Sequence, residues 1–258
     1  MAIPSGWNFL SFLTGLSYNV SMKQIPLVLL TLALTPFLRA EEQGELIFED
    51  HFDRSESQET KDEPGNGWGT NSKSRAKGNK QVDLRDGAMY IYIHEQADHA
   101  VSVTQPAVFT DGSVSMRFML EDGKDSIGLN FADLEFKEVH AGHLLAARID
   151  TKRVQCQDLK TGNMRLDISE ARRAKQALNA EQQEALKGKD KSFPHPLEVG
   201  KWYNLLVQIA GDEMTVTIDG AEVGRFSSPG IAHPTKRLLR LSVPRNAVVD
   251  DVKISRKK

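Results

Sequence analysis

The segment "EMTVTIDG" sets Met214, Val216 and Ile218 against Thr215 and Thr217, then ends in Asp219 and Gly220. Alternation with period two puts every second side chain on one face of a strand, and Asp-Gly supplies the backbone that a two-residue hairpin needs. The pattern recurs throughout the chain from Glu45. "AMYIYIHE" places Met89, Ile91 and Ile93 on one face and Tyr90, Tyr92 and His94 on the other, and "SVSMRFML" separates Val114, Met116, Phe118 and Leu120 from Ser113, Ser115 and Arg117. Further strands are expected at 45–50, 78–84, 99–104, 126–131, 143–149, 153–158, 202–210, 222–226, 237–243 and 247–254. About a dozen short strands with turn residues between them point to an all-β sandwich of two facing sheets.

Two stretches break the pattern. Residues 54–80 are polar and rich in Gly and Ser, which describes a long surface loop, with Trp68 as its anchor. Residues 169–189, "SEARRAKQALNAEQQEALKGK", have high helix propensity, and Asn179 followed by Gln182 reads as a cap dividing two helical pieces. Their few apolar positions describe an insertion lying on the sandwich, so residues 41–258 read as one domain.

The first forty residues contain no acidic side chain, and Lys23 is followed by an apolar stretch from Ile25 to Leu38 and then by Arg39 and Ala40. This is the layout of a secretory signal peptide cleaved near Ala40, with translation expected to start at Met22 and residues 1–21 as a mis-assigned upstream extension. Pro26 and Pro36 interrupt a stretch already too short for a membrane span. Loss of Lys23 and Arg39 leaves 31 of the 33 basic residues against 35 acidic ones, a net charge of −4, so no basic field recommends nucleic acid as a partner. The expected location is the periplasm or the exterior. Cys156 is the single cysteine, which excludes an intrachain disulfide and a cysteine-based zinc site.

Three segments together resemble the concanavalin A-like lectin/glucanase superfamily: "LIFEDHFDR" as an opening strand, "GKWYNLLVQIAGDEMTVTIDGAEV" late in the chain, and "VVDDVKI" as the closing strand. Within it the chain is most similar to the exported bacterial 3-keto-disaccharide hydrolase-type domains of largely unknown function. The resemblance implies a two-sheet jelly roll and a carbohydrate or glycoside as partner. The motifs themselves are demands of the fold. Tyr203, Leu205, Val207 and Ile209 share one face, and Trp202 is expected to add a large buried ring.

Cleavage of a glycoside requires two carboxyl groups flanking the bond. Glucanases of the superfamily carry Glu-x-Asp-x-x-Glu on a strand, and "DLEFKE" offers Asp133, Glu135 and Glu138 with the same spacing but with Asp and Glu exchanged. The exchange shortens the would-be nucleophile, and a displacement of about 1 Å can cost about 100-fold in rate; the same residues also suit an exposed loop. The keto-disaccharide hydrolase type shows an Asn-Ser-Gly segment and a Glu-x-Gln element, whose nearest counterparts are "SIGLNFAD" and "QCQD". Gln155 then stands in place of the glutamate; it cannot act as acid or base, but it can hydrogen-bond a sugar hydroxyl. His143 is the candidate base, with His140 as a second choice. The two histidines with Glu138 form one possible metal set, against a default of two loop histidines.

Tyr90, Tyr92 and His94 share a face and offer a sugar platform, unless a loop or the helices cover them. Trp68 is either a second platform or a plug at the end of the core. Asp50 and Asp53 in "FEDHFD" suit calcium, the one divalent metal the sequence suggests, or else a turn after the first strand. The sequence therefore reads first as an exported lectin-like carbohydrate-binding module, non-catalytic or weakly catalytic. The alternatives are a glycoside hydrolase or lyase of the keto-disaccharide type and a protein-interaction module that docks through the helical insertion.

Overall fold

A computed structural model describes residues 44–257; the leader expected over residues 1–40 and the start at Met22 lie outside the described residues. Strand β1 (Glu45–Asp50) leads into the long loop, which carries the two-residue strand β2 (Gly69–Thr70) and the single turn α1 (Ser72–Arg75). There follow β3 (Val82–Arg85), β4 (Ala88–Tyr92), β5 (Val101–Phe109), β6 (Gly112–Met119), β7 (Ser126–Ala132), β8 (His143–Asp150) and β9 (Arg153–Asp158). The insertion forms α2 (Leu166–Arg173) and α3 (Ala180–Ala185), then runs into β10 (Asp190–Pro194). The chain closes with β11 (Trp202–Ala210), β12 (Glu213–Ile218), β13 (Ala221–Ser227), β14 (Lys236–Val243) and β15 (Asn246–Arg256).

Every ladder between these strands is antiparallel. One sheet runs β13-β12-β11-β6-β15-β4-β3 with β1 on the far half of β15, and the other runs β10-β9-β8-β7-β14-β5-β2. Their facing sides form the core. Val114, Met116, Leu205, Val207, Val216 and Ile254 come from the eight-stranded sheet, and Val103, Ile127, Leu129, Phe131, Leu145 and Leu241 from the seven-stranded one. The architecture is the all-β, two-sheet concanavalin A-like jelly roll with a short helical insertion.

Local chemistry explains the turns. Asp219 and Gly220 have φ of +48° and +80°, as a type I′ hairpin requires, and they join β12 to β13. In the insertion, Gln182 N–H donates to Asn179 Oδ1 at 2.8 Å while the Gln182 side chain receives the Asn179 N–H at 3.0 Å, a complete capping box.

The structure differs from the sequence reading at five places. Trp202 is one residue out of step with Tyr203, so its ring lies on the outer face, with the Arg117 guanidinium 4.7 Å from its centroid. The alternation of "AMYIYIHE" stops at Tyr92, where β4 ends, and Ile93 is left 37% exposed. Helix α2 begins at Leu166 rather than 169 because Ile168 is fully buried and fixes that turn, and residues 190–194 form an edge strand that local alternation did not reveal. β3 starts at Val82, since Lys80 and Gln81 are held instead by the loop: Asp62 Oδ1 accepts the N–H groups of Gln81 and Val82 at 2.6 and 2.9 Å.

Candidate functional site

Register fixes which residues share the outer face of the seven-stranded sheet. Across β9, β8, β7, β14 and β5, one row reads Gln155, Arg148, Gly128, Ser242 and Ser102. The next row reads Gln157, Ala146, Asn130, Arg240 and Thr104. Their neighbours along each strand, such as Leu129, Ala147 and Leu241, are buried in the core. The face is therefore polar, and it is assembled from strands that are distant in sequence.

His143 lies at the start of β8, opposite Ala132. Its Nδ1 is 2.9 Å from Asn130 Oδ1, so Nδ1 carries the proton and Asn130 accepts it. Arg240 Nη1 is 3.0 and 3.1 Å from the two ring nitrogens of His143. Burial, followed by the positive charge of Arg240 and by His140 and His99, pushes the His143 imidazole down to about 3. It is neutral at physiological pH and a poor proton acceptor. Burial also lowers Arg240, though a guanidinium remains charged.

Further along, Arg148 Nη2 donates to Ser126 Oγ at 3.2 Å, and Gln155 Nε2 donates to Asp190 Oδ2 at 2.8 Å. Asp150, on the same strand face as Arg148, accepts the Lys152 N–H at 2.8 Å and is ion-paired with Arg153 at 3.4 Å. The face thus presents amide, hydroxyl and guanidinium donors around a neutral imidazole, without a facing pair of carboxyl groups.

The acids of "DLEFKE" are arranged otherwise. β7 ends at Ala132, and Asp133 Oδ1 accepts the Glu135 N–H at 2.9 Å, so the segment is a turn in which alternate residues do not share a face. Asp133 is buried, with its other oxygen 3.1 Å from His233 Nε2, and Arg237 reaches both Asp133 and Glu135 at 3.2 and 2.8 Å. Burial alone would raise the Asp133 carboxyl; the Glu135 N–H, His233 and Arg237 outweigh it and hold the group below its ordinary value. Glu138 is exposed in the same turn. The strand-borne trio expected from the spacing does not form, because the period of two ends with the strand. Residues 140–142 are a 3-10 turn, with the His140 and His143 rings stacked 6.4 Å apart. No group of three or more metal-ligating side chains occurs among the described residues.

Tyr90 and Tyr92 stand on the outer face of the other sheet. The Arg85 guanidinium covers Tyr90 at 3.9 Å from its centroid, while Tyr92 is partly buried, and that burial raises its phenol. His94 lies beyond the end of β4, with its N–H on Gln81 Oε1 at 3.0 Å. Trp68 is buried, its Nε1–H donating to Asp50 Oδ2 at 2.8 Å and its ring meeting Phe48 edge-on at 5.5 Å. Both Asp50 oxygens are engaged by Arg54, at 2.7 and 2.9 Å, while Asp53 is exposed. The structure therefore brings His143 and Gln155 to one face and leaves Tyr90, Tyr92, His94, Trp68 and the acids elsewhere. Sequence reasoning missed Arg148 and Arg240 as site residues. Their signal was alternation with core neighbours, as in "RLLRLSV", where Arg240 and Ser242 oppose Leu239 and Leu241.

No protein-family model and no curated protein sequence matches the chain. Solved structures do. A non-specific endo-beta-1,3(4)-glucanase of family GH16, SCLam, is similar at TM-score 0.53 and 14% identity, over 84% of this chain and 93% of that one. The laminarinase from Rhodothermus marinus is similar at TM-score 0.53 and 12% identity, over 83% and 97%. The carbohydrate-binding module CBM66 from Bacillus subtilis aligns at TM-score 0.48 and 14% identity, over 73% and 95%. No helix among the described residues is long and apolar enough to cross a membrane. At these identities the likeness to the two glucanases is one of fold: the chain has the sandwich on which both enzymes are built.

Proposed function

We propose that the chain is an exported carbohydrate-binding module that holds a glycan on the outer face of the seven-stranded sheet and does not cleave it. One observation carries the reading: Asn130, His143, Arg148, Gln155 and Arg240 share that face, with no facing pair of carboxyl groups among them. Planar amides and guanidinium groups match the paired hydroxyls along a sugar edge, each giving directional hydrogen bonds. Hydrolysis needs one carboxyl ready to protonate and one ionised at a defined separation. Asp133 is ionised and held by His233 and Arg237, the Gln155 amide cannot act as a general acid or base, and His143 is too weak a base. The glucanase fold of similar structures supports a carbohydrate as partner, and the charge layout of residues 1–40 supports export. Titration of the full chain against a panel of soluble glycans by calorimetry tests the reading. Binding lost in Asn130→Ala, together with no reducing ends released on long incubation, agrees with it; release of reducing sugar would overturn the non-catalytic part.

A further inference from the structure

Arginine is rarely left without a counter-charge in this protein. Of fourteen described arginines, eleven hold an ion pair, and the three that do not are Arg148, Arg172 and Arg240. Two of the three stand on the proposed glycan face. We infer that this face selects an acidic glycan, one bearing carboxylate or sulfate groups on separate sugar units, with Arg148 and Arg240 as the two anion contacts. The inference rests on the reading of that face as the glycan surface.

The two guanidinium groups lean apart along β7. Arg148 turns to Ser126 at the start of the strand, and Arg240 turns to His143, which pairs with Ala132 at its end. Arg240 pairs in register with Asn130, whose Oδ1 also meets His143 Nδ1, and from Ser126 to Asn130 a strand extends about 13 Å, so one small anion is not placed to meet both groups, whereas an oligosaccharide lying along β7 is.

Between them the sheet is low. Gly128, Ala146 and Ser242 are small, and Gly128 is not a demand of the fold: its φ is ordinary for any residue, and an added Cβ would come no nearer than 3.6 Å to Ser242. A glycine that packing does not require, itself buried together with Ser126, Asn130 and Ala146, marks the floor of the face between the longer Arg148 and Arg240 side chains.

Nearby charge favours an anion. The Arg240 guanidinium lies 3.0 and 3.1 Å from the two His143 nitrogens, and burial together with that charge keeps the imidazole neutral. Of the carboxylates bordering the face, Asp150 is paired with Arg153 and the Lys152 N–H, and Asp190 accepts the neutral Gln155 amide and keeps its charge; neither is ion-paired with Arg148 or Arg240. Guanidinium presents paired N–H donors that fit carboxylate and sulfate oxygens two at a time. The expected mature net charge of −4 opposes indiscriminate attraction of polyanions, so the selection is local to these two side chains.

Calorimetry of the full chain with two matched pairs of polymers tests this: polygalacturonate against its fully methyl-esterified form, and dextran sulfate against dextran. The charged member of at least one pair is expected to bind at least tenfold more tightly, the pair affected distinguishing carboxylate from sulfate. Arg148→Gln and Arg240→Gln are each expected to remove most of that preference, with Arg148→Lys restoring part of it, and monomeric galacturonate should bind at least tenfold more weakly than the oligomer. Gly128→Leu should reduce binding of every glycan. Arg148 is exposed, so its variants test the idea even if Arg240→Gln fails to fold. Equal binding of charged and neutral partners, still blocked by Gly128→Leu, would overturn the acidic preference and leave the glycan face standing. Binding untouched by Gly128→Leu and both arginine variants, or no binding of any polymer, would remove the face and the inference with it.

Discussion

Arg240 Nη1 lies 3.0 Å from Nδ1 and 3.1 Å from Nε2 of His143, and near-equal approach to both nitrogens places the guanidinium over the imidazole rather than in its plane. A cation over the ring favours the neutral imidazole, and Asn130 fixes which nitrogen holds the proton.

This pair makes stability depend on pH in a defined direction. The ordinary imidazole value near 6.5 falls to about 3 in the folded protein, so between those values the unfolded chain binds the extra proton. The stabilisation is present above the unfolded value and is lost as the pH falls toward about 3. Lowering the pH from 7 to 5 should remove on the order of 1–2 kcal/mol through this residue. Urea denaturation at the two pH values is expected to show that loss in the native protein and a smaller one in His143→Gln; an equal loss in both would contradict the assignment.

Lys80 is expected to be the most sensitive charge in the long loop. It is 7% exposed and sits 2.8 Å from Glu56 and 2.7 Å from Asp83, while Glu56 also accepts the Leu84 N–H at 2.9 Å. Removing one member of a buried pair leaves the other unsatisfied and commonly costs about 3–5 kcal/mol. Lys80→Ala should lower stability by roughly 3 kcal/mol and speed hydrogen exchange in residues 54–81, as read by mass spectrometry.

Trp68 is predicted to behave as a plug of the core. Trp68→Ala should cost about 3–5 kcal/mol, and Trp68→Phe should retain most of the packing while leaving Asp50 without its indole donor. Thermal melting distinguishes the two, and glycan affinity of the folded Trp68→Phe protein should equal that of the native chain.

Tyr90→Ala and Tyr92→Ala provide a control on the sheet. Both residues lie on the outer face opposite the proposed glycan surface, so their folded variants should bind glycan within about twofold of the native protein, a difference well under 1 kcal/mol. A tenfold loss would move the binding surface to the eight-stranded sheet.

Much of the fold was legible in the sequence because one face of nearly every strand is buried, and burial writes itself as alternation. β12 and its Asp219–Gly220 turn show this most simply, and Asn179 with Gln182 announced a helix start by local hydrogen bonding alone. β10 escaped because it is an edge strand whose one half-buried residue is Phe193, leaving no periodic signal. Trp202 misled because a large ring at a strand start suits either face, and register alone decides.

The site was less legible for a topological reason. Asn130, Arg148 and Arg240 become neighbours only because β7 lies between β8 and β14, an order that no local pattern encodes. "DLEFKE" offered the right spacing in the wrong backbone: once Asp133 receives the Glu135 N–H, the chain turns and the strand period no longer applies.

The most direct test of the glycan face is an amide chemical-shift map recorded while a bound oligosaccharide is titrated into the full chain. The account predicts that shifts cluster on β7, β8 and β14 around Gly128, Asn130, Arg148 and Arg240. Shifts confined to β4 around Tyr90 and Tyr92, or to the helices of the insertion, would contradict it.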